Sequence, residues 1–310
     1  MFHTIVFSGG ANHAAVFLGC IRYLEHTTLL KHVRKVVGSS AGSLVALMLT
    51  LGLTSDEMRA WTLELVEKHA FNKISLDDAL DFTESFGIDK GQNLDNALRA
   101  TMAKYSSSSD PTFKELAQSR GMDFSVCVLN VTKREYEYMS VDTTPNMLVR
   151  VAVRMSMSVP LMFVPVLHEG SLYIDPVLGR NFPYDYPGSC YTDTCVLGLT
   201  VRESPPLMVR PASKSLAAFV MSLVSILVHR SNEHMHRHSY TMVDVVVDDS
   251  VDKFSFDSME FAWNPSIVRD LACIGYTQIQ KVLEARVHIL YEKDFTEDAC
   301  WPPTLQVAPS

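Results

Sequence analysis

Ser40 has the residue type and the setting most suited to covalent chemistry. It lies in the pentapeptide Gly-Ser-Ser-Ala-Gly at 38–42, between two valines at 36–37 and an apolar run. This pattern predicts a strand, a sharp turn and a helix, with Gly38 and Gly42 placed where larger side chains would collide. A serine at the apex exposes its hydroxyl beside the positive end of the helix, which favours negative charge nearby. The sequence therefore predicts that Ser40 is a nucleophile.

A second strand-to-helix turn occurs earlier in the sequence. Residues 2–7 carry the alternation and β-branched residues typical of a strand, and Ser-Gly-Gly at 8–10 leads into an apolar helix. Backbone amides at a glycine-rich turn bind anions, so Gly9 and Gly10 predict either a phosphate cradle or an oxyanion hole. The loop lacks the G-x-G-x-x-G pattern of a dinucleotide site, which makes the nucleotide interpretation the weaker one.

The elements around these turns indicate an α/β fold with a parallel sheet. A strand at 34–38 and a helix at 41–52 complete a βαβα unit with right-handed crossovers. Because the carboxyl ends of neighbouring parallel strands lie at one edge of the sheet, we expect the two turns to meet there. Further strands are predicted at 124–131, 135–140, 171–174, 195–201 and 241–247, and further helices at 55–69, 75–87, 91–105, 112–118, 147–160 and 265–287.

Asp175 is the carboxylate best placed to join these turns. It directly follows the predicted strand at 171–174, and active sites of open α/β sheets lie at such strand ends. An aspartate there is also common as a turn or cap residue. Its type and place alone leave both roles open.

Four segments in this order resemble one known family. They are Ser8-Gly9-Gly10, Gly38-x-Ser40-x-Gly42, Arg154-x-Ser-x-Ser-x-Pro160, and Asp175 followed by Asn181-x-Pro183. Together they resemble the patatin-like phospholipases, a family of lipid acyl hydrolases, over roughly residues 2–185. The resemblance implies a three-layer α/β/α sandwich with a mainly parallel central sheet. We expect one such domain over residues 1–294, with a C-terminal tail at 295–310.

The resemblance also implies a mechanism without a metal or cofactor. Carried over by position, Ser40 becomes the nucleophile and Asp175 the base of a Ser–Asp dyad, and the Gly9, Gly10 and Ala11 amides become the oxyanion hole. The implied reaction is the cleavage of fatty-acyl esters, of the phospholipase A type, through an acyl-enzyme. Its substrate would be a phospholipid or another acyl-ester lipid.

The glycine loop and the segment after Asp175 differ from the usual family pattern. Ala11, His13 and Ala14 stand where the family usually has glycine, arginine and glycine. Ala11 still supplies an N–H if its φ is negative, and His13 can donate one hydrogen bond to the oxyanion region but lacks the arginine fork. Pro176-Val177 replaces two small residues, which removes an N–H beside the carboxylate and adds bulk.

Two alternatives remain open at the level of the sequence. Histidines at 229, 234, 236 and 238 follow Asp175 in the chain order of a Ser-Asp-His triad, whereas as a zinc site they lack a carboxylate or thiolate partner. The departures at Ala11, His13 and Pro176 would instead suit a non-catalytic lipid-binding protein of the same fold.

Composition excludes some partners. The formal net charge is −8 over 310 residues and no Lys/Arg-rich block is present, so we expect no nucleic-acid partner. The cysteines are scattered and several lie in apolar runs, which predicts buried free thiols in a reducing, intracellular compartment. They are Cys20, Cys127, Cys190, Cys195, Cys273 and Cys300.

The sequence also predicts the relation of the protein to membranes. The longest apolar run, 216–228, is shorter than the roughly 20 residues that span a bilayer, and no basic leader precedes the first strand. We therefore expect a cytoplasmic protein without a signal peptide or transmembrane helix, in transient contact with membrane surfaces. The oligomeric state is left open.

Overall fold

A mainly parallel sheet organises the protein. The structure, a computed structural model, describes residues 2–67, 86–183, 185–186, 195–203, 241–247 and 265–285. The strands are β1 (Thr4–Phe7), β2 (Lys35–Ser39), β3 (Gly87–Asp89), β4 (Asp123–Asn130), β5 (Glu135–Ser140), β6 (Leu161–Phe163), β7 (Val166–His168), β8 (Ser171–Ile174), β9 (Val196–Glu203) and β10 (Thr241–Val247). The helices are α1 (Val16–His26), α2 (Ala41–Thr50), α3 (Ser55–Glu67), α4 (Gln92–Tyr105), α5 (Phe113–Arg120), α6 (Val149–Ser156) and α7 (Pro265–Glu284).

The order of strands in the main sheet is β10-β9-β1-β2-β4-β8-β7, and β5 also pairs with β4. The pairings from β10 through β4 are parallel, whereas β5, β8 and β7 pair antiparallel. The predicted α/β fold with a mainly parallel central sheet is therefore confirmed. The chain adds β2 and β4 on one side of β1 and β9 and β10 on the other, so β1 is where the strand order reverses. Ligands of open α/β sheets bind at the carboxyl edge beside such a point.

The central strands are apolar on both faces, as expected of parallel strands that are covered on both sides. Val36 points into the larger hydrophobic core, to which each of α1–α7 contributes. Its neighbour Val37 points the opposite way, into a smaller cluster that contains Phe182. The segment that follows Asp175 thus covers the second face of the sheet.

Two glycines let α1 and α7 cross closely. A Cβ at Gly19 would lie 1.7 Å from the carbonyl oxygen of Ala272, and one at Gly275 would lie 1.9 Å from that of Val16. Neither position has room for a side chain, so both glycines are needed for this close contact of α1 with α7.

Two local predictions are corrected. Gly87 does not end a helix, as predicted for 75–87, because Gly87–Asp89 forms β3 and pairs with β6; residues 75–85 lie outside the described residues. The helix expected to continue to Pro160 ends at Ser156, because the ring of a proline clashes with the carbonyl four residues earlier in a helix.

Several expectations fall outside the described residues or meet a mixed result. The histidines at 229–238, the apolar run 216–228 and the tail 295–310 lie outside them, and the single domain over 1–294 stays a prediction. Cys20 and Cys127 are buried free thiols as predicted, whereas Cys273 is disulfide-bonded. None of the helices in the described ranges has the length and apolarity needed to cross a bilayer.

Candidate active site

Ser40 occupies a strained turn between β2 and α2. Its φ is 49° and its ψ is −132°, a region that a side chain adopts only when the surrounding structure enforces it. A Cβ at Gly38 would lie 2.5 Å from the carbonyl oxygen of Gly42, and one at Gly42 would lie 2.3 Å from that of Ser8. Both glycines are therefore required by space, as the sequence predicted.

Hydrogen bonds on both sides hold the main chain of Ser40. Its carbonyl accepts from the amide of Ser43 at 2.9 Å and from the Ser43 hydroxyl at 2.6 Å. Its amide donates to Oγ of Ser156 at 2.8 Å. Ser40 itself is 7% exposed, at the positive end of α2. These contacts fix the backbone of the turn.

The glycine loop lies beside this turn, as predicted for the carboxyl edge of neighbouring parallel strands. A Cβ at Gly9 would lie 3.0 Å from Cβ of Ser40. The amide of Gly9 donates to the carbonyl of Asn181 at 2.8 Å. This predicted oxyanion donor is therefore already hydrogen-bonded to the main chain. Gly10 and Ala11 open a 3-10 helix, Ala11–Ala15, whose first N–H groups have no partner within the helix. Their amides remain the candidate donors.

Ala11 departs from the expected conformation. Its φ is 43°, so the condition set for the use of its N–H, a negative φ, is not met. A side chain in the left-handed region costs roughly 1–2 kcal/mol relative to glycine. His13, the other residue assigned to the oxyanion region, is 8% exposed in the same 3-10 helix.

Asp175 directly follows β8 and is buried. Its carboxylate is 0% exposed, and its amide donates to the carbonyl of Ser158 at 2.9 Å. Oδ1 accepts from the amide of Val177 at 2.9 Å. Oδ2 is buried and has no hydrogen bond of standard geometry within the described part of the chain.

Burial dominates the electrostatics of this carboxylate. It raises the pKa of Asp175 to about 7, against hydrogen bonds from the Ser40 side chain and the Val177 amide that lower it. The Ser40 side chain is therefore one of the two groups that favour the ionised form of Asp175, although no hydrogen bond of standard geometry joins the two side chains. Contacts between catalytic groups are often long before substrate binds. A pKa near 7 suits a base that works at neutral pH.

Pro176 does not disturb Asp175 in the way that its missing N–H suggested. It is the first residue of a 3-10 helix, Pro176–Leu178, in which Asp175 is the N-cap. The first helical position is where proline is best tolerated, because its N–H would have no partner there anyway. The Asp175 carboxylate then accepts a hydrogen bond from the next amide, that of Val177.

Sequence reasoning missed the roles of three residues at this edge. The carbonyl of Asn181 accepts from the Gly9 amide and from the Ser39 hydroxyl, which ties the glycine loop to the end of β2. Ser156 accepts from the Ser40 amide. Asn12 is 2% exposed, and neither atom of its carboxamide has a hydrogen-bond partner among the described residues. Asn181 and Ser156 belong to segments singled out by their spacing, but spacing alone does not reveal what they contact.

The described residues contain no group of three or more His, Cys, Asp or Glu side chains placed to hold a metal ion. The histidines that would complete a triad or a zinc site lie outside those residues. Within the described residues, the candidate site thus comprises a serine, a carboxylate and a pair of loop amides.

Residues 5–187 match the Patatin family of patatin-like phospholipases. The match spans more than half of the chain, and the protein therefore belongs to the patatin-like phospholipase family. This agrees with the sheet, the strained serine turn and the glycine loop described above.

Two viral proteins are related to the chain in sequence. "Probable lipid hydrolase 463L" of Invertebrate iridescent virus 6 is 27% identical over 186 residues, which cover 59% of this chain and 62% of that protein. "Uncharacterized protein R571" of Acanthamoeba polyphaga mimivirus is 26% identical over 180 residues, covering 58% and 59%. The match spans about three fifths of the length of each relative.

Among solved structures, VipD from Legionella pneumophila has a similar fold. The TM-score is 0.57 at 16% identity, with 94% of this chain and 68% of VipD covered. At this identity the likeness concerns the fold alone.

Proposed function

We propose that this protein is a lipid acyl hydrolase that cleaves fatty-acyl ester bonds with a Ser40–Asp175 dyad. The proposal is supported by a serine held at φ 49° in a strained turn and by a fully buried carboxylate whose pKa the side chain of that serine lowers. Membership of the patatin-like phospholipase family and the lipid hydrolase 463L support a lipid ester as the substrate.

The first half of the reaction acylates the serine. Oγ of Ser40 attacks the ester carbonyl carbon while its proton passes to Asp175. The oxygen that becomes negative accepts hydrogen bonds from the amides of Gly10 and Ala11, and the positive end of α2 adds to this stabilisation. Collapse of the tetrahedral intermediate breaks the ester C–O bond, and the leaving alcohol takes the proton from Asp175.

The second half restores the serine. A water molecule attacks the acyl-enzyme and its proton passes to Asp175. Asp175 then gives this proton to Oγ of Ser40 as the C–O bond to the serine breaks, which releases the fatty acid and restores both groups. Asp175 must be ionised at the start of each half, so its pKa near 7 places the acid limb of activity close to neutrality. Such a substrate resides in a lipid surface, and we propose transient contact with that surface in the cytoplasm.

The test is a screen of the purified full chain and its Ser40→Ala variant against phospholipids, lysophospholipids and triglycerides. We expect the wild type to release fatty acid from at least one class and Ser40→Ala to release none above background. Equal release by both proteins would overturn the proposal, and so would the absence of release from every class.

A further inference from the structure

The segment 156–160, which begins with the last residue of α6 and leads to β6, contacts both members of the proposed dyad. Ser156 and Ser158 lie two residues apart in it, and both are 0% exposed. The hydroxyl of Ser156 accepts from the Ser40 amide, and the carbonyl of Ser158 accepts from the Asp175 amide. One short segment therefore sets the position of one main chain relative to the other.

Ser156 completes the hydrogen bonding at the end of two strands. The register of β2 and β4 ends at the pair Ser39 and Cys127, and beyond it the chain at Ser40 turns away at positive φ. The hydroxyl of Ser156 accepts from the Ser40 amide at 2.8 Å and donates to the Cys127 carbonyl at 2.7 Å. It thereby links two main-chain groups that the turn has separated.

Ser158, which lies just beyond the end of α6, is anchored by the buried Arg154 of that helix. Nη1 of Arg154 donates to Oγ of Ser158 at 2.6 Å, and this hydroxyl donates to the Arg154 carbonyl at 2.7 Å. The guanidinium also donates to the Val164 carbonyl at 3.2 Å and lies 4.8 Å from the ring centroid of Phe163. Arg154 is 6% exposed, and burial lowers its pKa. It forms no ion pair within the described ranges, so its contacts serve to hold the segment.

We propose that Ser156 is a positioning residue: its hydroxyl holds the strained main chain of Ser40 so that Oγ faces Asp175. The inference rests on the proposed function. Ser156 contacts only the backbone of the nucleophile, so its loss alters the aim of Ser40 and leaves the substrate-binding surface in place. A misplacement of about 1 Å between reacting groups can cost on the order of 10²-fold in rate.

The experiment compares Ser156→Ala with Ser125→Ala, because each removes one serine hydroxyl from a residue that is 0% exposed. Ser125 lies in β4, and its hydroxyl donates to the Tyr186 hydroxyl at 2.9 Å. We expect a decrease in Tm of a few degrees in both variants, since each leaves a partly or fully buried hydrogen-bond partner unpaired. We expect kcat to fall about 10- to 100-fold in Ser156→Ala with KM unchanged, and by less than about threefold in Ser125→Ala.

A second measurement does not depend on activity. Hydrogen exchange at the Ser40 amide should be at least about tenfold faster in Ser156→Ala than in the wild type, and close to the wild-type rate in Ser125→Ala. Equal losses of kcat in the two variants, or unchanged exchange at Ser40 in Ser156→Ala, would overturn the inference. A wild type that hydrolyses no ester defeats the proposed function instead, and the exchange experiment then still decides the role of Ser156.

Discussion

The two strand-to-helix turns at the carboxyl edge of the sheet each force a non-glycine residue to positive φ, yet they are held differently. The main chain of Ser40 is hydrogen-bonded through its amide and its carbonyl. At Ala11, φ is 43°, and the amide makes no hydrogen bond to any described residue. One turn is closed by its neighbours and the other keeps its donors open.

The difference corresponds to what each turn must do in ester hydrolysis. A nucleophile must be aimed before substrate arrives, so contacts that fix its backbone are useful in the resting protein. Oxyanion donors interact with a charge that exists only during the reaction, so they must be fixed in place but left unoccupied. In the proposed mechanism, the closed turn meets the first requirement and the open turn meets the second.

The largest effect is expected from removing the Asp175 carboxylate, the proposed base for Ser40 in the closed turn. Asp175→Asn keeps the shape of the side chain but cannot accept the Ser40 proton, so we expect kcat to fall about 10³- to 10⁴-fold. Steady-state kinetics on the best lipid substrate measures this. Asp185→Asn is the control on the same loop, because Asp185 pairs with Arg180 and Tyr138 away from Ser40. Full activity in Asp175→Asn would contradict the dyad.

The same substitution should reveal the cost of burying the carboxylate. Asp175 titrates near its usual value of 3.8 in the unfolded chain and at about 7 in the folded protein. Between these pH values the folded state binds more protons than the unfolded state, so the stability of the wild type decreases as pH rises. Relative to the wild type, Asp175→Asn should gain up to about 4 kcal/mol in free energy of unfolding from pH 4 to pH 7, and no more above it. Urea denaturation at each pH measures the gain; a gain independent of pH would show that Asp175 is not held in this way.

Replacing one glycine in each turn by alanine compares how tightly the two turns are packed. A Cβ at Gly42 would lie 2.3 Å from the backbone oxygen of Ser8, whereas one at Gly10 would meet the side chain of Val201 at 3.2 Å. We expect Gly42→Ala to reduce the free energy of unfolding by about 3 kcal/mol or more, and Gly10→Ala by about 1 kcal/mol. Chemical denaturation of both variants checks this. Equal losses would mean that the closed turn is no more constrained than the open one.

The smallest effect is expected from a substitution that relieves the backbone strain of the open turn. Ala11→Gly removes a side chain at positive φ, and part of this gain is offset by the greater freedom of glycine in the unfolded chain. We expect a net stabilisation of about 0.5–1 kcal/mol from thermal denaturation. Ala14→Gly, in the same 3-10 helix, is the control and should destabilise the protein by about as much. Destabilisation by Ala11→Gly would contradict the strain.

The site was predictable where its residues lie next to one another in sequence. Strand, turn and helix around Ser40 follow from local patterns, and the strand before Asp175 was predicted with its observed bounds, Ser171–Ile174. That the two turns meet at one edge follows from parallel strand order. The space required at Gly38 and Gly42 follows from the tight turn itself.

What the sequence did not reveal depends on contacts between distant segments. β3 pairs with β6 across more than 70 residues, which no local periodicity encodes. The positive φ of Ala11 is imposed by the fold against the preference of alanine. The bonds from Ser156 and Asn181 into the two turns likewise depend on tertiary packing, although both residues lie in segments that the motif spacing marks.

The most direct test of Ser40 as the nucleophile and Asp175 as its base is covalent labelling by a fluorophosphonate probe, mapped by mass spectrometry across pH. We expect a single adduct on Ser40, at a rate that rises with pH around a midpoint near 7 and that is slow and independent of pH in Asp175→Asn. An adduct on another serine, or the same pH profile in Asp175→Asn, would contradict the dyad.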